Sequence, residues 1–459
     1  MERQSLQGHR VLIVGAARSG LAAARLAREL GAEVWVSDSG ASEVIAGQIT
    51  ELQELTTLLE FGGHQPDTFR QCDPIVVSPG VPLAMPLLQE AVARGTEVIG
   101  EVELALRSID IPLVGITGTN GKTTTAALAA HLLKASGRRV FLGGNIGRPL
   151  TLLALELLHG GDRKGAPELA VVELSSFQLE AAPSLHARIA AWLNLAGDHL
   201  DRYPDIDAYA AAKANLFLNQ DDSDWVLIPA GDPSIGRYAH GNPAGRVTFG
   251  PGGDVRVEGR DLIFDLPGRG AGSIDASGFK PLGEHNLLNL AAAGAIALLL
   301  DADPQALPQA VASFEAPPHR LQDMGEVRGV RFINDSKATT PESVRVALDA
   351  FSEPLILIAG GRDKGLDFSI LKGAVESRAN AVVLIGEAAG RIESELAGAA
   401  EFHLAKDMVQ AVRTAFDLAE PGQVVLLSPA CASFDMFRDY EHRGQAFAEA
   451  VAAIIEEAD

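Results

Sequence analysis

The chain has 459 residues, enough for roughly three domains of ordinary size. Lysine and arginine total 38 against 60 aspartates and glutamates, a formal net charge of −22. A field of that sign opposes non-specific binding to nucleic acid or anionic lipid, and leaves room only for local basic pockets that hold phosphates. The two cysteines, Cys72 and Cys431, exclude a disulfide framework and a CxxC or Cys/His zinc pattern, and they suit a reducing cytosol. The charged start (Glu2, Arg3, Arg10) with the short apolar run 11–14 reads as a strand, not a signal peptide. The longest apolar stretch, around 291–300, is too short to span a bilayer.

Three α/β blocks follow in chain order. In the first, a predicted strand at 10–14 leads into Gly15-Ala-Ala-Arg-Ser-Gly20 and a helix over 21–30. A strand at 33–37 ends at Asp38, and strands at 74–78 and 97–99 flank a helix over 86–94. This alternation implies a parallel, doubly wound sheet. The second block starts near Glu101. Its strand 112–116 runs into Thr117-Gly-Thr-Asn-Gly-Lys-Thr-Thr124 and an Ala/Leu-rich helix to 136, and strands at 169–173 and 188–194 follow. Residues 241–283 turn Gly-rich, with alternating runs at 255–257 and 262–264 that read as small antiparallel strands. A long helix over 286–300 closes the block. The third block begins after Pro317-Pro318 and repeats the alternation at 330–334, 341–350, 355–359, 381–385 and 424–428 before a last helix. The expected architecture is α/β in three domains. Residues 1–100 form a Rossmann-like domain, 101–316 a P-loop ATPase-like domain with a small antiparallel sheet, and 317–459 a second Rossmann-like domain.

Several patterns carry chemistry. Gly15-x-Ala-x-x-Gly20 followed by Asp38 mimics a dinucleotide fingerprint, weakened by Ala17 in place of the second glycine. A helix N-terminus there suits a diphosphate, whichever nucleotide carries it. In Gly118-Thr-Asn-Gly121-Lys122-Thr123 the glycines let backbone N–H groups converge on phosphate oxygens. Lys122 would reach the β- and γ-phosphates, and the Thr123 hydroxyl would ligate Mg²⁺. The strict P-loop pattern fails, because Ile116 stands where its first glycine belongs. The plainer reading is a Gly-rich turn with a surface lysine. Glu173 ends an apolar strand, where a carboxylate serves either as a hard ligand for Mg²⁺ or as an acid near a helix N-terminus. On residue chemistry alone, His199 is an ordinary surface or core histidine and Lys213, in helical text, a solvated cation.

GTNGKTT is the form this loop takes in the Mur ligases and the folylpolyglutamate synthetases. Glu173-Leu-Ser-Ser-Phe-Gln-Leu-Glu180, Asp198-His-Leu-Asp-Arg-Tyr-Pro204, Gly283-Glu-His-Asn286-Leu-Leu-Asn289 and Asn334-Asp-Ser-Lys337-Ala-Thr339 extend the resemblance over essentially the whole chain. The stretch from Ser428-Pro-Ala-Cys-Ala-Ser433-Phe434 to Tyr440-Glu-His-Arg-Gly444 resembles the glutamate-adding members of the Mur ligase family. That resemblance implies an ATP-dependent ligase adding D-glutamate to the alanyl carboxylate of UDP-N-acetylmuramoyl-L-alanine through an acyl phosphate, in peptidoglycan precursor synthesis. It implies a cytoplasmic monomer, using ATP and two Mg²⁺ ions, with no nucleic-acid partner and no membrane insertion.

The resemblance also implies roles for particular residues. Arg18 and Ser19 would lie near the UDP diphosphate, and Asp38 and Ser39 near uracil, although Gly40 stands where family members often carry arginine. Ser78, Gly80 and Asn145 would add contacts to the UDP-sugar, with Ser175 beside the muramoyl group. Gly118, Thr119, Asn120, Gly121, Lys122, Thr123 and Thr124 would cradle ATP, whose adenine end falls to Asn286 and Asn289 and whose ribose falls to Asp335. Lys337 and Arg320 would reach the phosphoryl region, Arg320 entering from the third domain in the manner of an arginine finger as that domain closes. Thr123, Glu173, His199 and Lys213, the last as a carbamate formed with CO₂ from the neutral amine, would hold the metal. Lys122, His199, Lys213 and Arg320 form the catalytic set. Lys364, Thr339, Ser433, Tyr440 and the backbone at Phe434 would bind the dianionic amino acid, which needs positive charge and aligned donors. Cys431 has no activating base in its text and reads as structural.

Other functions fit less of the text. A nicotinamide-dependent oxidoreductase leaves GTNGKTT and 428–444 without a task. An ATPase switch would hydrolyse ATP without a UDP-sugar. A folate polyglutamylating enzyme lacks the N-terminal UDP-like domain, and a diaminopimelate- or lysine-adding ligase would carry D-N-P-R, absent here.

Overall fold

The computed structural model describes residues 5–40, 46–159, 165–197 and 202–458. Three sheets carry the architecture. The first contains β1 (Arg10–Val14), β2 (Glu33–Ser37), β3 (Leu58–Glu60), β4 (Ile75–Val77) and β5 (Val98–Gly100), in the order β3-β2-β1-β4-β5. Its pairings are all parallel. The chain leaves β1 toward β2 on one side and returns to β4 on the other. The crevice at the carboxyl ends of β1 and β4 is therefore the topological switch point where open α/β sheets bind ligands.

The second sheet contains β6 (Leu113–Thr117), β7 (Val140–Gly144), β8 (Leu169–Glu173), β9 (Ile189–Trp192), β10 (Trp225–Pro229), β11 (Gly245–Phe249), β12 (Val255–Glu258), β13 (Asp261–Leu266) and β14 (Gly270–Asp275). The order is β14-β13-β12-β11-β10-β9-β6-β8-β7. The predicted antiparallel strands are present, as β12 to β14. They extend the central sheet, joined to it through the parallel pair Phe249 and Val255. β6 lies between β8 and β9 with every residue buried. Its first four residues are apolar or glycine, as a strand flanked on both sides requires, and the buried Thr117 at its end is satisfied by donating to Leu174 O at 2.8 Å, which is why this strand was legible as a hydrophobic block.

The third sheet contains β15 (Gln322–Val327), β16 (Val330–Asn334), β17 (Leu355–Gly360), β18 (Ala379–Ile385), β19 (Glu401–Leu404) and β20 (Val424–Leu427), ordered β15-β16-β20-β17-β18-β19. Only β15 runs antiparallel, at one edge.

The chain divides into two compact units, one of residues 1–278 with 288–313, the other of 279–287 with 314–459. In the first unit, helices Arg18–Glu29, Glu101–Leu106 and Leu150–His159 pack on one another. A single hydrophobic core therefore runs from Val11 and Ile13 beneath the first sheet to Val172 and Trp192 in the second. Each face of the six-stranded sheet in the second unit has its own apolar layer, around Leu357 and Leu426 on one side and Ile358 and Leu427 on the other. No described helix is long and apolar enough to cross a membrane.

Candidate active site

The loop after β6 opens helix Lys122–Ala135. Gly121 is its N-cap at φ 80° in the left-handed region, and a Cβ there would collide with the Asn289 side-chain oxygen. Gly118 also has positive φ, 152°. Two glycines thus let the backbone curl while a neighbouring helix packs against it. The loop is braced from β9's end: Asn120 N donates to Asn194 Oδ1 at 2.8 Å, and Asn194 Nδ2 returns a bond to Asn120 O at 3.0 Å. Thr125 Oγ1 donates to Asn289 Oδ1 at 3.1 Å. Lys122 Nζ donates to the carbonyls of Gly118 (2.8 Å) and Thr119 (2.9 Å), so the ammonium lies across the mouth of the loop. The loop N–H groups, the helix N-terminus and this cation form an anion cradle despite Ile116.

Glu173, at the end of β8, is 3% exposed and joins two side chains. Its Oε2 accepts from Thr123 Oγ1 at 2.7 Å, and its Oε1 accepts from Asn145 Nδ2 at 3.0 Å. A carboxylate and a hydroxyl side by side beneath a phosphate cradle are hard oxygen donors of the kind Mg²⁺ takes, so the residues present fit that ion. Lys213 lies beside them. Its Nζ donates to Gly118 O at 3.0 Å and sits 4.4 Å from the Tyr209 ring centre. At 1% exposure it is among the largest fully buried side chains, which corrects the reading of it as a solvated cation. Its helix turns this residue inward beside Tyr209 and Ala212, which the local text, rich in alanine on every face, did not reveal. Asp198 and His199 lie outside the described residues.

Arg18, Ser19, Asp38, Ser39, Ser78, Gly80 and Asn145 all line one cleft of about 450 Å³ at the switch point. Gly15, at φ 97°, lies so close to Ser78 that a Cβ would stand 2.8 Å from its hydroxyl. Asp38 braces the cleft from below, accepting from Ala16 N at 2.6 Å and Gly40 N at 2.7 Å. Ser175 does not line this cleft. It caps helix Ser176–Glu180 in a reciprocal box with Gln178.

Sequence reasoning missed Arg202. Its guanidinium stacks 3.9 Å over the Phe177 ring. It also donates to the carbonyls of Pro79, Gly80 (both 3.4 Å) and Val81 (2.9 Å). It ties the wall of the cleft to helix Ser176–Glu180, which follows β8. Its position in Asp198-His-Leu-Asp-Arg202 was a signal that it stands near functional groups.

A larger cleft, about 740 Å³, opens at the opposite edge of the central sheet, where β6, β9 and β10 begin. Its His186 and Asp224 are 2.6 Å apart. Asp224 also accepts from Asp221 N and approaches Arg188, so this group is an internal brace.

In the second unit, Arg320 is flanked by His319 and Leu321, both with left-handed backbone (φ 64° and 43°). Non-glycine residues hold that geometry only where the surroundings enforce it. The enforcers are Asn334, whose Nδ2 lies 3.1 Å from His319 Nδ1, and Asp335, which accepts from Leu321 N at 3.3 Å and from Ser428 Oγ at 2.9 Å. Burial pushes the Asp335 carboxyl up to about 7. Lys337 Nζ sits 3.7 Å from the Tyr440 ring centre. Asn286 donates to Leu282 O at 2.7 Å. Ser433 is buried, Thr339 half-buried, and Lys364 and Phe434 are exposed. Cys431 is buried and its thiol is pushed up to about 12 by desolvation, as a structural cysteine requires and a nucleophile does not.

A three-sheet chain with a switch-point cleft and a phosphate cradle in one unit is the plan of a nucleotide-dependent ligase of the Mur type. Three family descriptions match in sequence: "Mur ligase MurD-like, N-terminal domain" over residues 9–100, "Mur ligase middle domain" over 116–297 and "Mur ligase, glutamate ligase domain" over 319–431. The UDP-N-acetylmuramoylalanine--D-glutamate ligase of Desulfosudis oleivorans is 40% identical over 99% of both chains. The enzyme of the same name from Anaeromyxobacter dehalogenans is 44% identical over 97% of this chain and 98% of its own. Among solved structures, the UDP-N-acetylmuramate-alanine ligase MurC of Thermotoga maritima is similar in fold, with TM-score 0.61, 21% identity, and 97% and 99% coverage. MurF of the same organism, solved with ADP, gives TM-score 0.57 at 19% identity over 86% and 91%. The chain belongs to the Mur ligase family, among the UDP-N-acetylmuramoylalanine--D-glutamate ligases.

Proposed function

We propose that this chain uses ATP to join the amine of D-glutamate to the alanyl carboxylate of UDP-N-acetylmuramoyl-L-alanine, releasing ADP and phosphate, in peptidoglycan precursor synthesis. The observation that carries the reading is the chain of contacts Thr123–Glu173–Asn145, which links the phosphate cradle to the switch-point cleft within one unit. A nucleotide triphosphate and a nucleotide sugar would then be neighbours.

Amide formation from a free carboxylate is uphill in water, and converting the carboxylate to an acyl phosphate supplies a leaving group. The loop N–H groups and Lys122 would neutralise the β- and γ-phosphates as the γ-phosphoryl moves to the carboxylate. The glutamate amine then attacks the acyl carbon, and phosphate departs. Magnesium, held by Thr123 and Glu173 with Lys213 as a carbamate and His199, would draw charge off the transferring group; two ions are proposed. Arg320 and Lys337 are assigned to the phosphoryl region, Asn286, Asn289 and Asp335 to the nucleoside. Arg18, Ser19, Asp38, Ser39, Ser78, Gly80, Asn145 and Ser175 are assigned to the UDP-sugar. Thr339, Lys364, Ser433, Phe434 and Tyr440 are assigned to glutamate. Domain boundaries near 100 and 317, a monomeric state and a cytoplasmic location, where ATP and UDP-sugars are made, complete the proposal.

The test is phosphate release with ATP and UDP-N-acetylmuramoyl-L-alanine against a panel of D- and L-amino acids. D-glutamate alone should support turnover, and equal release without the UDP-sugar would refute the reading. Positional isotope exchange in labelled ATP, dependent on the muramoyl substrate, is expected for the acyl phosphate.

A further inference from the structure

Arg443, in helix Tyr440–Ala458, has a fully buried side chain, one of the two largest among the described residues. Buried arginines ordinarily face a carboxylate. Among the described residues no carboxylate forms an ion pair with this one. Its donors go to neutral oxygens: Nε to Ser336 Oγ (3.0 Å), Nη2 to Ser336 O (2.8 Å), and Nη1 to Cys431 O (3.0 Å) and Ala432 O (3.3 Å). Desolvation lowers its pKa to about 10, which leaves the group charged at neutral pH.

Those oxygens belong to loops at the carboxyl ends of adjacent strands. Ser336 follows β16 and Cys431–Ala432 follow β20, while Gly361 follows β17, where a Cβ would stand 3.1 Å from Nη1. Two of the loops are also tied to one another, by Arg362 N to Ala432 O (2.8 Å), and the Ser336 loop is tied to the helix of Arg443, by Ser336 Oγ to Tyr440 O (2.8 Å). Thr339, Lys364, Ser433, Phe434 and Tyr440 each lie within three positions of a residue that Arg443 touches, or of Arg443 itself.

We infer that Arg443 is the positioning residue of the amino-acid site: one guanidinium sets the register of three loops and places a positive charge, in no direct ion pair, beneath them, which favours a doubly anionic amino acid. This rests on the proposal above that these loops bind glutamate. A fixed charge in a low-dielectric interior acts strongly on groups above it, and a planar fork holds several carbonyls in a way an ammonium does not.

The test uses the full chain and phosphate release at saturating ATP and UDP-N-acetylmuramoyl-L-alanine. Wild type must first show D-glutamate-dependent release; without it, the functional reading itself fails and this inference falls with it. Given that activity, Arg443→Met and Arg443→Lys should raise the D-glutamate KM by about tenfold or more, while the KM values for ATP and the UDP-sugar move less than about threefold. Arg443→Lys should be the milder of the two, because it restores charge without the fork. Unchanged D-glutamate KM in both variants overturns the inference, as does a parallel rise in all three KM values, the mark of a merely structural role. Should neither variant fold, Ser336→Ala, which removes the Oγ contact, decides by the same criterion with a smaller rise.

Discussion

Asp335 holds its backbone neighbours in place at the cost of a buried carboxyl. Its folded pKa of about 7 stands above the ordinary 3.8 because desolvation outweighs the bonds from Ser428 and Leu321. The stability it contributes is complete below about pH 3.8, and it is lost as pH rises through about 7. Wild type should therefore lose thermal stability across that window more steeply than Asp335→Asn, a difference read from melting temperatures at several pH values. Identical slopes would refute the assignment. Lys213 makes a second prediction at this scale. Lys213→Ala should lose about a hundredfold or more of the ligase rate. Formate or acetate should restore part of it by supplying the missing carboxylate oxygens. Failure of both, and of bicarbonate, would remove the carbamate from the account.

At the scale of elements, the phosphate loop is constrained from two sides, by its own dihedral and by Asn289. Gly121→Ala should cost about 1–3 kcal/mol of stability and weaken ATP binding, measured by denaturation and calorimetry; a neutral outcome would mean the helix bearing Asn289 yields easily. Arg202 is the strut between the cleft wall and helix Ser176–Glu180. Arg202→Ala should raise the KM for the UDP-sugar by about tenfold, the worth of bonds from a charged donor, with the KM for ATP little changed.

Legibility mostly followed burial at this scale, with one exception: β10, buried between β9 and β11, went unread because its three-residue apolar core between Trp225 and Pro229 is too short to stand out. β6, β8, β16 and β17 are built around buried apolar residues, with polar residues such as Thr117, Glu173 and Asn334 at their carboxyl ends, and were read nearly residue for residue. β3, β7, β15 and β19 went unread: they are short or half-exposed edge strands, one ending in two glycines, whose text carries no alternation. The candidate site divided in the same way. Loop motifs such as Gly118–Thr123 are contiguous and could be found. The inward turn of Lys213 and the reach of Arg202 to residues 79–81 depend on tertiary packing that no local window contains.

For the whole molecule, the division into two units has a direct consequence. Residues 314–459 enclose apolar layers on both faces of their own sheet, the condition for independent folding. Expressed alone, this segment should melt cooperatively by circular dichroism and show no ATP hydrolysis, since Lys122, Thr123 and Glu173 are absent from it. A chain that stays unfolded would show that its stability is borrowed.

The Asn145 amide belongs to two places at once: it lines the cleft at the first sheet, and it donates to the acid that Thr123 also donates to. Any guest that draws the amide away must alter the poise of Glu173, and any guest that recruits Glu173 must alter the amide. Thermodynamic reciprocity then requires the same factor in both directions. The coupling between the two nucleotides is in that sense a single quantity, and the Asn145–Glu173 hydrogen bond is where it would be written.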